Sequence, residues 1–213
     1  RDIRDVQVDE LPFFDILVAG FPCQAFSIAG YRQGFDDEKG RGNLFFELER
    51  IFSQRKPEVV FLENVKNLAS HDNGNTFQVI LDILKKEGYF VKYKVLNSSE
   101  YGDIPQNRER VYLVCFLNEQ AYNAFSFPDP IPLNKNIIDC LEPEELIENK
   151  YYYTQKTPFF NQLTETIKNA ETLYQWRRQY VRANKSNLCL TLTANMGTGG
   201  HNVPLLNVQG KDN

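Results

Sequence analysis

Four apolar runs rich in β-branched and aromatic residues recur in the first half of the chain, and this recurrence limits the possible folds more than any other feature. The runs read FDILVAG, EVVFLEN, YFVKYKVLN and RVYLVCFL. Amphipathic segments of helical length separate the first three runs. This alternation predicts an α/β domain with a doubly wound, mostly parallel sheet covered on both faces, in which ligands bind beyond the carboxyl ends of the strands.

Both intervening segments carry helix signals. The segment NLFFELERIFSQ repeats apolar residues at helical spacing behind Asn43, which suits an N-cap. The segment NTFQVILDILKKEG begins at Asn75 or Thr76, has lysines in its last turn and ends at Gly88. Each segment predicts an amphipathic helix whose apolar stripe covers the sheet.

The composition changes after about Asn118. The segments FPDPIPLNKN, LEPEEL and YYYTQKTPFF are rich in proline, asparagine and tyrosine and show no strand and helix alternation. We therefore predict a boundary near Phe125, with a partial α/β domain over residues 1–124 and a small irregular second domain over residues 125–213.

Composition excludes some classes of protein. The chain of 213 residues has no apolar run near the length of a membrane helix and no signal-peptide hydrophobic region, so we expect a cytoplasmic protein without membrane contacts. Its four cysteines are far apart and none forms a CxxC pair, which argues against a disulfide framework and against a metal site. The net charge of −4 decides nothing about nucleic acid, because a local basic patch can exist on an acidic protein.

Three strand ends carry residues suited to chemistry. Cys23 follows the first strand directly, where a nucleophile would be well placed, although a free cysteine is often a small buried residue. Glu63 ends the second strand, where the alternative to a functional carboxyl is a cap or a surface ion pair. Arg108 and Arg110 stand two residues apart at the start of the last strand, so they should share one face as an anion or carbonyl site unless they are merely solvated.

Taken together, these stretches resemble the DNA cytosine-5 methyltransferase family of the bacterial type. The motifs GFPCQAFSIAG, ENV and QNRERVY occur in the family's order, GFDDEKGRGNLFFELERI and NLASHDNGNT are similar to its intervening segments, and CLTLTANMGTGGHNVP matches it more weakly. The resemblance implies a Rossmann-like methyltransferase that uses S-adenosylmethionine to methylate carbon 5 of a flipped cytosine in a short, specific sequence of double-stranded DNA. It also implies a restriction-modification system, whose restriction endonuclease would act on the same site without direct contact.

By this resemblance Cys23 is the covalent nucleophile that adds to carbon 6 of cytosine. Glu63 would bind ring nitrogen 3 and the exocyclic amine, and one of the two arginines, with Arg110 preferred over Arg108, would hold the ring carbonyl. Arg108 and Arg110 would also provide an electropositive setting that favours the thiolate of Cys23.

The same resemblance assigns Asp2, Ile3, Pro22 and Leu44 to the cofactor. The family's glycine-rich turn and the acidic residue after it would come before Arg1, and its closing helix would come after Asn213. We therefore expect this chain to be a fragment that holds half of the cofactor site. Pro22 and Leu44 are equally credible as packing residues.

DNA contacts are expected from three places. One is the loop from Ser27 to Asn43, whose family equivalent closes on DNA and whose alternative role is a plain flexible connection. Another is the basic segment QWRRQYVRANK, and the third is the glycine-rich GTGGHNVP, which lets a backbone approach base edges. The residues assigned to DNA are Gln24, Ser27, Arg177, Arg178, Arg182, Gly199, Gly200 and His201. A solvated helix face is the alternative for the basic segment, and a turn cap is the alternative for His201.

Two other functions stay open. The first keeps the chemistry but acts on tRNA, and the size of the target-recognition region predicted over residues 125–213 favours DNA over it. The second is a non-catalytic nucleic-acid-binding remnant, and the intact Cys23, Glu63 and Arg110 argue against it. A methylation assay on both nucleic acids separates these alternatives.

Overall fold

A computed structural model describes residues 1–22, 44–177, 179–184, 186–194, 196 and 202–207 of the chain. The chain divides into two compact units, of which the first comprises Arg1–Leu96 with Glu109–Pro128. The second comprises Asn97–Arg108 with Asp129–Asn213. This division differs from a single boundary near Phe125, because the short segment between two strands of the first unit belongs to the second unit.

The described residues form five α-helices and nine strands, apart from several 3-10 turns. The helices are α1 (Leu44–Arg55), α2 (Asn75–Lys86), α3 (Ser98–Tyr101), α4 (Glu119–Ala124) and α5 (Phe160–Thr166). The strands are β1 (Ile16–Gly20), β2 (Val59–Val65), β3 (Phe90–Asn97), β4 (Gln106–Asn107), β5 (Glu109–Phe116), β6 (Tyr174–Trp176), β7 (Val181–Ala183), β8 (Cys189–Leu190) and β9 (Pro204–Leu205).

The first unit is built on a four-stranded sheet in the order β1, β2, β5, β3. All four strands coincide with the apolar runs of the sequence, and the α/β class is confirmed. The sheet is mixed, because β2 is parallel to β1 but antiparallel to β5. The second half of β5 is buried on both faces, and this burial explains its continuous apolar run. The run therefore does not require that β5 be parallel to its neighbours.

The two long helices lie where the periodicity predicted them. Helix α1 buries Phe45, Leu48, Ile51 and Phe52, and helix α2 buries a matching apolar stripe. Helix α2 has two lysines in its last turn and is followed by Gly88 with φ of 92°. Only glycine adopts this left-handed conformation without strain, and it lets the amide of Tyr89 bond to the carbonyl of Leu84 at 3.0 Å.

One face of the sheet forms the core of the first unit. Its residues on β1, β2 and β5 join side chains of α1 and α2 in one buried cluster, and they are Leu17, Val60, Leu62, Val111, Leu113 and Cys115. On the other face of β1, Ile16 and Val18 are 59% and 68% exposed within the described part of the chain. Among the described residues, side chains of both long helices contribute to the cluster on the first face, and none of these residues provides the expected cover on the second face of β1.

The second unit is a small β structure with its own core. Strands β7, β6 and β9 form an antiparallel sheet in that order, and β4 pairs in parallel with β8. Its buried cluster contains Leu163, Tyr174, Trp176 and Leu205. The ring of Phe159 stacks on Trp176 with centroids 4.5 Å apart and an interplanar angle of 8°. The region that looked irregular in the sequence thus contains short strands and an aromatic core.

Candidate active site

The carboxyl ends of β1 and β2 lie side by side in the first unit. The two strands are parallel, and Gly20 is paired in register with Glu63. Phe21 and Pro22 follow β1, while Asn64 and Val65 complete β2. Since parallel strands end at the same edge of a sheet, the segment after β1 and the polar end of β2 meet at that edge, where open α/β sheets bind ligands.

Glu63 and Arg110 form an ion pair across this edge. In the antiparallel pairing of β2 with β5, Glu63 lies opposite Tyr112, so Arg110 is its diagonal neighbour on the same face. The Nε atom of Arg110 lies 2.9 Å from Oε1 of Glu63, and the two side chains are 14% and 33% exposed. The guanidinium also donates through Nη1 to the main-chain carbonyl of Glu109 at 2.8 Å.

This pair presents an acceptor and a donor side by side. The guanidinium keeps N–H groups for an acceptor, and the carboxyl, one-third exposed, can still reach a ligand. A heterocycle with a carbonyl next to a ring nitrogen and an amine could bind both groups along one edge. The arrangement therefore suits recognition of such a ring.

Asn64 points to the opposite face of the strand from Glu63, because successive side chains of a strand alternate. It is 2% exposed, and its Nδ2 atom donates to the carbonyl oxygen of Phe21 at 2.7 Å. Its Oδ1 atom accepts from the amide of Val65 at 2.9 Å. Sequence reasoning did not assign a role to Asn64, although an asparagine at an inward position of an apolar strand was a usable signal.

Arg108 lies outside strand β5 and belongs to the second unit. Its amide donates to Oδ1 of Asn97 at 2.9 Å, and its carbonyl accepts from the amide of Ser98 at 3.2 Å. The alternation rule that placed Arg108 and Arg110 on one face does not apply, because the strand begins between them at Glu109. In the structure Glu63 thus forms an ion pair with Arg110, and strand β5 does not include Arg108.

Two of the residues assigned to a cofactor, Ile3 and Leu44, lie against or within helix α1. Leu44 begins this helix. Pro22 is exposed, and the ring centroid of its neighbour Phe21 lies 5.5 Å from that of Phe45. Ile3 is half-buried against the same core, and its carbonyl accepts from Nη2 of Arg50 at 3.1 Å.

Asp2 caps the 3-10 turn that contains Ile3. Its carboxylate accepts from the amide and the guanidinium of Arg4, and these hydrogen bonds hold the pKa of Asp2 well below its usual value. Both carboxylate oxygens of Asp2 therefore already have a donor.

Several assigned residues lie outside the described part of the chain. They include the proposed nucleophile and most of the residues assigned to DNA: Cys23, Gln24, Ser27, Arg178, Gly199, Gly200 and His201. The helix N-cap proposed for Asn43 lies outside it as well.

Arg177 and Arg182 are described, and both belong to the hairpin of β6 and β7 in the second unit. Arg182 pairs across the hairpin with Gln175, whose Oε1 accepts from Nη1 of Arg177 at 3.3 Å. The amide of Arg177 bonds to the carbonyl of Tyr180 at 2.8 Å and closes the turn. Both arginines are exposed, so the described part of the basic segment forms a hairpin and not the helix of the alternative interpretation.

Two negative findings apply to the described residues. They contain no group of three or more histidine, cysteine, aspartate or glutamate side chains placed to hold a metal ion. Among the same residues, no helix combines the length and the apolar character needed to cross a lipid bilayer.

Comparison with known proteins identifies a family. The family model described as C-5 cytosine-specific DNA methylase matches residues 1–212. The type II methyltransferase M.Bsp6I of Bacillus sp. (strain RFL6) is 56% identical over 206 residues, which are 96% of this chain and 65% of that protein. The type II methyltransferase M.HhaI of Haemophilus parahaemolyticus is 50% identical over 148 residues, which are 70% of this chain and 44% of that protein. The chain thus spans less than two thirds of the length of these relatives.

Solved structures support the fold. DNMT2 of Spodoptera frugiperda superimposes with a TM-score of 0.57 at 20% identity, over 79% of this chain and 50% of that one. The Dnmt2 methyltransferase of S. pombe gives a TM-score of 0.55 at 17% identity, over 91% of this chain and 62% of that one. At these identities the likeness concerns the fold alone.

Proposed function

The chain belongs to the C-5 cytosine-specific DNA methylase family, and from that premise we propose that it takes part in methyl transfer from S-adenosylmethionine to carbon 5 of a cytosine in double-stranded DNA. The observation that carries this proposal is the ion pair between Glu63 and Arg110. Glu63 is the register partner of Gly20, which ends β1 three residues before Cys23 in the sequence. A short specific sequence is the proposed target.

Carbon 5 of cytosine is a weak nucleophile, so the proposed reaction begins elsewhere on the ring. The thiolate of Cys23 adds to carbon 6, and the electron pair of the 5,6 double bond moves into the ring toward nitrogen 3 and the carbonyl. Carbon 5 of the resulting enamine would then take the methyl group that bound S-adenosylmethionine supplies, while the bond between that methyl group and the sulfonium sulfur breaks and the sulfur leaves as a thioether. A base finally removes the carbon 5 proton, and the bond to sulfur breaks to restore the double bond and the thiolate.

Glu63 and Arg110 are suited to the charge that this addition creates. The carbonyl, ring nitrogen 3 and exocyclic amine of cytosine follow one another along one edge of the ring. A guanidinium at the carbonyl and a carboxyl at the nitrogen and amine would stabilise the adduct, and the observed pair places these groups 2.9 Å apart. Arg110 is mostly buried, which strengthens its interaction with a developing negative charge.

The residues present fit one side of S-adenosylmethionine. Ile3 and Leu44 are half-buried and Pro22 is exposed, so all three offer apolar surface to an adenine ring. Both carboxylate oxygens of Asp2 already accept hydrogen bonds from Arg4. In this proposal Asp2 therefore stabilises the turn at Ile3 and does not pair with a positively charged group of the ligand. When bound, S-adenosylmethionine supplies the electrophilic methyl group.

The attack on carbon 6 comes from above the ring, so the cytosine must leave the base stack. We propose that the exposed hairpin arginines Arg177 and Arg182 contact phosphates, while Gln24, Ser27, Gly199, Gly200 and His201 lie nearer the bases. The protein would act in the cytoplasm as the modification part of a restriction-modification pair. Its endonuclease partner would recognise the same sequence without touching this protein.

A hybrid protein tests the proposal directly. In this hybrid the chain replaces the matching 206-residue part of M.Bsp6I, and transfer of a labelled methyl group is measured on duplex DNA and on tRNA. We expect labelled 5-methylcytosine in DNA and none in tRNA. Label in tRNA alone, or in neither nucleic acid, would contradict the proposal.

The nucleophile is tested on the same hybrid. Cys23→Ala should lower methyl transfer by at least about a thousandfold while DNA binding persists. A duplex with 5-fluorocytosine at the target should form an adduct that survives denaturation, because fluorine cannot leave as the carbon 5 proton does. Exposed Cys140 provides the matched control, and Cys140→Ser should leave turnover and trapping unchanged. Trapping that survives Cys23→Ala would assign the nucleophile elsewhere.

A further inference from the structure

We propose that Gly20 is a positioning residue whose missing side chain leaves the space in which the carboxylate of Glu63 meets Arg110. This inference rests on the proposed function, because it concerns the same acid. Gly20 touches neither substrate nor cofactor in this proposal, and it acts through Glu63.

The space is visible in the pairing of the two strands. Gly20 and Glu63 are register partners, and a Cβ atom built on Gly20 would lie 3.1 Å from Oε2 of Glu63. Such a separation is tighter than ordinary van der Waals contact, so the neighbour would have to move by a few tenths of an ångström. The neighbour is the end of a flexible side chain and not backbone, so a larger residue at this position should disturb the carboxylate far more than the fold.

The carboxylate cannot move without a change in its ion pair. Its other oxygen lies 2.9 Å from Nε of Arg110, on the side away from Gly20 in the pairing scheme. The guanidinium is held by the carbonyl of Glu109 and is mostly buried, which limits how far it can follow. A side chain at position 20 would therefore displace the carboxylate of Glu63 from its position against the guanidinium of Arg110.

Steric substitutions in the active hybrid test this role. We expect Gly20→Ala to lower kcat about tenfold and Gly20→Val about a hundredfold, because small misplacements of a catalytic group have effects of this order. The KM for DNA and the thermal midpoint should stay at the parent values. Val18→Ala is the matched control, since Val18 shares the strand face with Gly20 and is exposed. Loss of kcat that only follows loss of stability, or an equal loss in Val18→Ala, would overturn the proposal.

A shorter acid separates positioning from a general structural effect. Glu63→Asp withdraws the carboxylate by one methylene, so the added methyl group of Gly20→Ala no longer crowds it. In the Glu63→Asp background, Gly20→Ala should change kcat by less than about twofold. The same tenfold loss in both backgrounds would show that Gly20 acts independently of Glu63.

The positioning role of Gly20 can also be tested without methyl transfer, so the test holds even if the proposed function fails. The coupling between Glu63→Gln and Arg110→Met is obtained from urea unfolding, once with Gly20 and once in the Gly20→Ala background. We expect the coupling to shrink in the Gly20→Ala background. Equal coupling in both backgrounds would refute the positioning role, whereas absence of methyl transfer in the parent hybrid would refute only the proposed function.

Discussion

The side-chain amide of Asn64 donates a 2.7 Å hydrogen bond to the main-chain carbonyl of Phe21. The two residues belong to different strand ends of the same sheet, and Asn64 is buried beneath them. Phe21 stands two residues before Cys23 in the sequence. A side chain at the end of β2 therefore fixes the backbone from which the segment with the proposed nucleophile begins.

Removal of this amide should weaken the first unit. Asn64→Ala deletes a buried hydrogen-bond donor, and we expect the free energy of unfolding to fall by about 1–3 kcal/mol. Urea denaturation measures the change. Asn67→Ala is the control, because Asn67 is exposed in the turn that follows β2 and should cost less than about 0.5 kcal/mol. Equal losses in the two variants would show that the bond to Phe21 contributes nothing particular.

Replacement of the proposed acid should separate activity from stability. Glu63→Gln keeps the volume but removes the charge and the exchangeable carboxyl proton, so kcat should fall at least about a hundredfold. The free energy of unfolding should change by no more than about 1 kcal/mol, because the carboxyl is one-third exposed and the ion pair is partly screened. The comparison variant is Glu47→Gln, which breaks the 2.7 Å ion pair with Arg50 on α1 and should leave kcat unchanged. A stability loss that accounts for the lost turnover would favour a purely structural ion pair.

The hairpin arginine should contribute to DNA affinity through phosphate. Arg182→Ala removes an exposed positive charge, and the slope of log affinity against log salt should decrease by about one unit. Titrations of duplex DNA at several salt concentrations measure this slope. Lys156→Ala removes another exposed charge outside the hairpin and should preserve the slope. A similar decrease in both variants would point to a general charge effect.

The described cysteines should differ in reactivity. Cys115 is fully buried in the sheet, and this burial raises the pKa of its thiol far above the usual value, so little thiolate forms near neutral pH. Cys140 is exposed, and burial raises the pKa of half-buried Cys189. Alkylation followed by mass spectrometry should therefore label Cys140 before Cys189, and Cys115 only in urea. Rapid labelling of Cys115 in the folded protein would contradict its position in the core.

Apolar periodicity was sufficient to predict the principal elements of the first unit. The strands that end at Gly20 and Val65 and the helices that begin at Leu44 and Asn75 all follow from the spacing of buried side chains. Glu63 could be recognised as a candidate because a carboxyl interrupts an otherwise apolar strand. Its partner Arg110 followed from its place near the start of another strand.

Relationships between distant residues could not be read from the sequence. Gly20 and Asn64 acquire their roles only when β1 and β2 align in register, and the hydrogen bond from Asn64 spans 43 positions of the chain. The direction of β5 was equally hidden, since burial on both faces gives the same apolar run in either orientation. The sequence also does not reveal that the strand begins at Glu109, so alternation along it gives the face of Arg110 and not that of Arg108.

The stacked ring of Trp176 makes the second unit optically distinct. It is the single tryptophan of the chain, it lies against Phe159, and it directly precedes Arg177 in the hairpin turn. Fluorescence excited selectively at the indole therefore originates wholly from this unit. Emission can follow the hairpin during DNA titration or unfolding while the sheet that carries Glu63 stays spectroscopically silent, and no engineered label is needed.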